Sequence, residues 1–359
     1  MIRWRMTLFG CAVALVAPLA AGASVLSDAA AALQPGRFTS INTGLTPNDF
    51  HPNSPGGSIN DWADSGIWDP VQRKFAYIGK QAGCSNNYRN IVYDEASNSW
   101  SYGSVPLSSG CGHGYDQNTG DPVTGTHYFR PYAGQIYRAN GSGWSTLPAL
   151  PTPNTIVGGL AKSRTGVLYS DMIWDVYYDD ATGTKVQVDA RNGYPGWPLI
   201  GDYHNIAEYD PVHDVFLIAG GNNSRAMYRV SIVAGSPVRA RLNDSPISIG
   251  VGEYAQHTNI QCDPVTGEFV IYKKESGTFY GYNIMTDTWR TLGTAGNGNF
   301  PPLPTGTGTS AVAAAINTHG VIMYVAHTSS TAAVYLYKHA AGGPADTVPP
   351  NRPAQLIAR

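Results

Sequence analysis

The chain reads as an all-β propeller of six four-stranded antiparallel blades, with a strand from its N-terminal side closing the last blade. Three observations predict this. Charged residues are only 13% of the 359 positions, while 41 Gly, 25 Pro and 22 Tyr suit strands and tight turns better than helices. An Asp-Pro pair before a short alternating apolar run recurs in "WDPVQRKFAYI", "GDPVTGTHYF", "YDPVHDVFLI" and "CDPVTGEFVI". A Tyr also stands seven residues before a Trp three times, at Tyr93 and Trp100, Tyr137 and Trp144, and Tyr282 and Trp289.

The chain opens with "MIRWRMTLFGCAVALVAPLAAGAS": cationic Arg3 and Arg5, an apolar run, then Ala21-Gly22-Ala23 as a small-residue cleavage site. Residues 1–23 therefore read as a signal peptide. The run is short and broken by Gly10 and Pro18, which disfavours a membrane anchor. No later stretch is apolar enough to span a bilayer, so the processed chain is expected to be secreted, extracellular or periplasmic. Removing the leader takes two of 23 basic residues and moves the formal charge from −2 to −4, which excludes general nucleic-acid binding. Residues 24–35 read as a linker, 36–342 as the propeller, and "GPADTVPPNRPAQLIAR" within 343–359 as a Pro-rich tail or linker.

Within 36–342, Asp at the first turn position and Pro at the second pre-set a tight turn, and the alternation that follows marks a half-buried strand. "SRTGVLY" and "NTHGVIMYV" supply looser turns in the two gaps. Turns at Asp69, Asp121, Arg164, Asp210, Asp263 and Thr318 are 52, 43, 46, 53 and 55 residues apart, a period suited to four strands and their loops. A β-sandwich would not require one hairpin and one Tyr-to-Trp interval at a shared period. A seventh blade would need a sheet hidden between Asp171 and Gly201 or between Ser24 and Asp61. The sixth blade lacks a Trp-bearing fourth strand, and "RFTSINTGL" from Arg37 has the alternation to replace it. The Tyr and Trp rings are expected between blades, each burial contributing roughly 2 to 3 kcal/mol.

"FLIAGGNNSRAMY", "VYDEASNSW" and "YNIMTDTW" together resemble the kelch repeat of galactose-oxidase-like propellers, over roughly residues 36 to 342. In leader, size and blade type the chain is similar to propeller polysaccharide lyases of exported bacterial proteins, such as ulvan lyases. That resemblance implies β-elimination on an extracellular acidic polysaccharide. The alternative is a non-catalytic propeller that binds carbohydrate or a protein partner.

In a propeller, inner strands begin at one mouth of the axis, where loops between blades and loops between second and third strands also gather. His113, His204 and His257 stand eight, six and six residues before their turns, near the tops of inner strands; Trp62 and Asp64 take comparable places in the first blade. Three imidazoles there could supply a base, a proton donor or ligands for a divalent metal, with no other cofactor implied. Arg89 with Tyr88, Arg130 with Tyr132, Arg225, and Lys273 with Lys274 are placed on the same rim. Arg binds carboxylates bidentately and aromatic rings stack on sugars, so an acidic polysaccharide or another glycan is the expected partner of a monomeric chain. On position, His113 is the candidate base, Arg130 or Arg225 neutralises the uronate carboxylate, and Tyr115 or Tyr203 protonates the leaving oxygen. Cys84 and Cys111 fall on that rim and are expected to form a disulfide, leaving Cys262 as a small buried apolar residue.

Overall fold

Four Asp-Pro turns and the two looser turns of blades 3 and 6 each join two antiparallel strands, and these six hairpins organise the molecule. A computed structural model describes residues 23–50, 59, 63–80, 88–108, 117–131, 135–141, 143–148, 158–170, 174–190, 200, 204–221, 224–250, 258–305, 311–328 and 330–340. The chain enters through helix α1 (Val25–Ala32) and strand β1 (Arg37–Ile41). Blade 1 follows as β2 (Ile67–Asp69), β3 (Lys74–Gly79), β4 (Arg89–Asp94) and β5 (Ser99–Gly103). Blade 2 is β6 (Asn118–Gly120), β7 (His127–Phe129), β8 (Tyr137–Asn140) and β9 (Gly143–Thr146). Blade 3 comprises β10 (Leu160–Lys162), β11 (Gly166–Ser170), β12 (Trp174–Asp179) and β13 (Lys185–Ala190). Blade 4 holds β14 (Asn205–Asp210), β15 (Val215–Gly220), β16 (Met227–Val233) and β17 (Ser236–Arg241). Blade 5 is built from β18 (Thr258–Cys262), β19 (Phe269–Lys273), β20 (Thr278–Asn283) and β21 (Thr288–Thr294). Blade 6 has β22 (Ala311–Ile316), β23 (Val321–His327) and β24 (Ala332–Lys338), and β1 pairs antiparallel with β24 as its fourth strand.

The structure is thus a six-bladed propeller of four-stranded antiparallel sheets, closed as the sequence predicts. The first strands β2, β6, β10, β14, β18 and β22 pack side by side around the axis, and Ser65 bridges Ala313 in parallel register across the first and last blades. Parallel inner strands mean that every second strand ends at the same face. We call the end where inner strands begin the upper end, and the end carrying their turns the lower one.

At the lower end, the aspartates cap their own turns. Asp69 Oδ1 accepts from Val71 and Gln72 N–H (both 2.8 Å), Asp121 Oδ1 from Val123 and Thr124 N–H (both 2.9 Å), and Asp210 Oδ1 from Val212 and His213 N–H (2.8 and 3.1 Å). A carboxylate here satisfies donors that no strand can reach, while Pro presets the turn backbone and removes one N–H from the account. The turns close in the left-handed region, at Arg73 (φ 56°), Gly125 (72°), Asp214 (57°) and Gly267 (74°).

"YDEASNSW" is the outer hairpin of blade 1. Tyr93 lies directly across from Trp100 with ring centroids 5.2 Å apart, and its hydroxyl donates to Asn98 Oδ1 (2.9 Å), which sits at φ 49°. Tyr282 repeats this with Trp289 (4.7 Å) and Asp287 (2.8 Å), and Tyr209 uses the same hydroxyl lock on Asp214 (2.6 Å) in an inner hairpin. Blade 2 departs from the expected pattern: Tyr137 pairs with Thr146, and Trp144 pairs with Ala139. The shorter β8–β9 turn shifts the register by two residues, so the third Tyr-to-Trp interval is a coincidence of spacing.

The stretch read as a linker carries α1. Ser24 caps it, accepting from Ser27 N–H (3.0 Å) while Ser27 Oγ receives the Ser24 N–H (2.8 Å), and Leu26 and Ala30 are buried against blades 1 and 6. Beside that helix, the fully buried carboxylate of Glu95 gathers three partners that contribute to ring closure. Arg73 donates to it through Nε (2.7 Å) and Nη2, His319 of blade 6 through Nε2 (3.1 Å), and Ser24 through its hydroxyl. Burial pushes the Glu95 pKa up, but these hydrogen bonds outweigh it and bring it to about 2.

The folded value lies below the ordinary 4.5, so this clasp contributes fully above that pH and is lost as pH falls towards 2, a contribution of about 3 kcal/mol. Glu95→Gln should lower neutral-pH stability by about that amount in urea unfolding. It should also flatten the acid limb of the stability profile between pH 4.5 and 2. An acid limb identical to that of the parent chain would show that Glu95 does not clasp the ring.

Candidate functional site

Inner strands of a propeller are sheet edges, and their backbone groups face the axis without a strand partner. At the upper end, asparagines fill that need because one amide offers an acceptor and two donors. Asn118, which opens β6, accepts from Ile78 N–H (2.8 Å) and donates to Ile78 O (3.0 Å) in the preceding blade. Asn205, which opens β14, accepts from Gly159 N–H (2.8 Å). Asn259 in β18 donates to Ala311 O (3.0 Å) of blade 6 and to Asp64 O (2.6 Å) of blade 1, tying three blades together. Asp64, placed near the mouth by the sequence, is buried there.

Cations stand at the upper ends of second strands in three blades. Lys80 follows β3 with its Nζ 5.8 Å from the centre of the Tyr88 ring, and Arg130 follows β7 with its guanidinium 5.8 Å from that of Tyr169. Lys273 ends β19, donates to Ser248 O (3.0 Å) and pairs with Glu275 (3.2 Å); Lys274 follows it. All four are buried, and so is His327 at the end of β23. Burial lowers the pKa of Lys80, and that of Lys273 although Glu275 opposes it.

The rim is therefore less exposed than its residue types suggest. Tyr88 is fully buried edge-on to Phe129 (5.4 Å), which leaves its ring no free face for a sugar in this structure. Arg89 is half-buried, with Nη1 donating to Tyr88 O (3.3 Å), and Arg225 is exposed. His204 is half-buried immediately before β14, at φ 64°. Trp62, Cys84, Cys111, His113, Tyr115, Tyr132, Tyr203 and His257 lie outside the described residues, and with them the expected disulfide and two of the three histidines proposed for a metal. Among the described residues, no group of three or more His, Cys, Asp or Glu could hold a metal ion. Cys262 is a free thiol, buried as expected.

A lower axial feature was not predicted. Lys162 ends β10 fully buried and pairs with Asp121 of blade 2 and Asp180 of its own blade, both at 2.9 Å. It borders a cavity of about 100 Å³ that also takes in Trp68, Glu208, Gln261, Cys262 and Asn317. Blade 3 is the blade whose turn is built on Ser163 and Arg164 in place of Asp-Pro, and a lysine at that strand end was the available signal.

No family model matches the chain, and no curated protein matches it. Solved structures do. A structural genomics protein of unknown function from Bacteroides thetaiotaomicron aligns with a TM-score of 0.51 at 12% identity, covering 84% of this chain and 75% of that one. An auxiliary nutrient binding protein from the same organism aligns at 0.51 and 10% identity, covering 77% and 69%. Another auxiliary nutrient binding protein, from Bacteroides ovatus, gives 0.51 and 11% with the same coverage. At such identities the likeness shows the propeller fold and nothing finer.

Lys162→Met should destabilise the chain by about 3 kcal/mol in denaturant, because it leaves two carboxylates facing each other without their shared cation. A change under about 0.5 kcal/mol would mean that solvent already screens them.

Proposed function

We propose that the protein is a secreted propeller module that binds an acidic polysaccharide at its upper mouth. The carrying observation is the placement of Lys80, Arg130, Lys273 and Lys274 at one end of the ring, with exposed Arg225 beside them. Positive charge gathered at one end of the ring raises the potential there and favours an anionic ligand. Aromatic rings at 5.8 Å hold Lys80 and Arg130 in place for that role. The nutrient-binding description of the two Bacteroides proteins is compatible with a module of this kind. The leader ending at Ala23 supports export, where such polymers are met.

Elimination would add two requirements to binding. A base must take the C5 proton of a uronate whose carboxylate is neutralised by a cation, and an acid must protonate the departing oxygen. His113 is the proposed base, Arg130 or Arg225 the neutralising group, and Tyr115 or Tyr203 the acid. One assay separates the readings: absorbance of unsaturated uronate rises only if a bond is broken, whereas calorimetry detects binding alone.

The processed chain should bind at least one uronate polymer from a panel, and neutral polymers far more weakly at that face. Added salt should weaken the binding. Arg225→Ala should lower affinity by about fivefold, near 1 kcal/mol, with an unchanged melting temperature. Equal affinity for acidic and neutral polymers would overturn the reading. Rising absorbance that His113→Ala abolishes would establish the lyase.

A further inference from the structure

Five of the six seams between blades are filled by apolar clusters that run through both sheets, such as Tyr282 with Leu217 and Ile260 between blades 4 and 5. Among the described residues, the seam between blades 1 and 2 has only Ile78, Tyr88 and Phe129 buried in its cluster, towards the upper end. Below them a groove of about 370 Å³ opens between the two sheets. That volume falls in the range of small-molecule pockets, roughly 300 to 1,000 Å³.

The groove exists because residues that pack the other seams are replaced. Counting three residues on from Phe75, Phe216 and Phe269 leads to Ile78, Ala219 and Tyr272, whose third-strand partners are Asn90, Met227 and Phe279. Met227 and Phe279 are buried in apolar clusters, while Asn90 puts an amide in the wall of the groove. Asn90 is itself 93% buried, being 7% exposed, and Nδ2 donates to Ser104 O (3.0 Å) while Oδ1 has no partner among the described residues. An orphaned buried carbonyl costs about 1 to 3 kcal/mol unless a ligand or water supplies a donor. Gly103 makes room for it, since a Cβ there would lie 2.8 Å from Asn90 Nδ2.

Across the groove, blade 2 presents Trp144. Its indole N–H donates to Ser104 Oγ (3.2 Å), and the His127 ring meets it edge-on at 5.3 Å. Burial holds the His127 pKa down to about 3, so the imidazole is neutral, with Nε2 2.9 Å from the Asn118 Oδ1 acceptor. The charges at the groove are already engaged: Lys74 pairs with Asp94 (3.5 Å), and Asp69 caps its own turn. What remains among the described residues is the Trp144 indole, the amides of Asn90 and Gln72 and the hydroxyls of Ser101, Ser104, Thr124 and Thr126.

We infer that the groove between blades 1 and 2 is a second binding site, for a neutral sugar unit, separate from the upper mouth. An apolar ring beside hydroxyls and an orphaned amide matches a pyranose, which presents C–H bonds on one face and hydroxyls around its edge. The absence of unpaired charge among the described residues of the groove favours a neutral sugar over a uronate.

The test is a titration of the full processed chain with neutral hexoses and their disaccharides, read by calorimetry. Oxidative footprinting of Trp144 on the unsubstituted protein gives a second readout. At least one sugar should bind, and should reduce Trp144 oxidation at least threefold. Asn90→Leu, which restores the apolar filler, should weaken binding at least tenfold while keeping or raising the melting temperature, and Trp144→Ala should weaken it similarly. Arg225→Ala should leave it unchanged, so failure here and failure at the upper mouth are distinguishable. No binding across the panel would overturn the assignment. Binding that leaves Trp144 oxidation and the Asn90→Leu affinity unaltered would do the same.

Discussion

A ring of blades stands only if its last blade meets its first, and in this chain a buried carboxylate orients that junction. Glu95 belongs to blade 1, yet its partners come from the blade 1 turn, the blade 6 turn and the cap of the entry helix. The apolar cluster beneath joins α1, β1, β22 to β24 and blade 1 in one core. Hydrophobic burial supplies the bulk of the association there. The carboxylate supplies direction, because its hydrogen bonds are met in one arrangement of the four segments.

Closure of that kind leaves the two faces of the ring chemically different. The four Asp-Pro turns at the lower end are built to satisfy themselves, through an aspartate side chain and a left-handed closing residue. The upper end satisfies its backbone across blades, through Asn118, Asn205 and Asn259, and collects buried cations at strand ends. The groove between blades 1 and 2 is the exception to efficient seam packing, and it arises from residue choice at Asn90 and Gly103.

Local chemistry was legible in the sequence; chemistry between blades was legible only in part. The Asp-Pro turns declare themselves because the side chain that caps each turn lies within it. Tyr93 and Tyr282 were found for the same reason, since their partners are five and seven residues away. Tyr137 and Trp144 share the interval but not the register, and spacing alone does not distinguish the two. The helix at Val25 was readable from Ser24, Ser27 and the alanines that follow, but the Pro and Gly of "LQPGRF" beside it favoured a linker. Lys162 gave little warning because Asp121 lies 41 residues away in another blade. Arg130, Lys273 and Lys274 were read as rim residues and lie buried at upper strand ends, and that burial depends on packing that no residue pattern encodes.

The most direct measurement of the account is a crystal structure of the processed chain with an acidic oligosaccharide bound. The account predicts uronate carboxylates at the upper mouth, within ion-pairing distance of Arg225 and of the strand ends at Lys274 or Arg130. Carboxylates bound instead at the lower axial cavity, or on the outer strands, would contradict it.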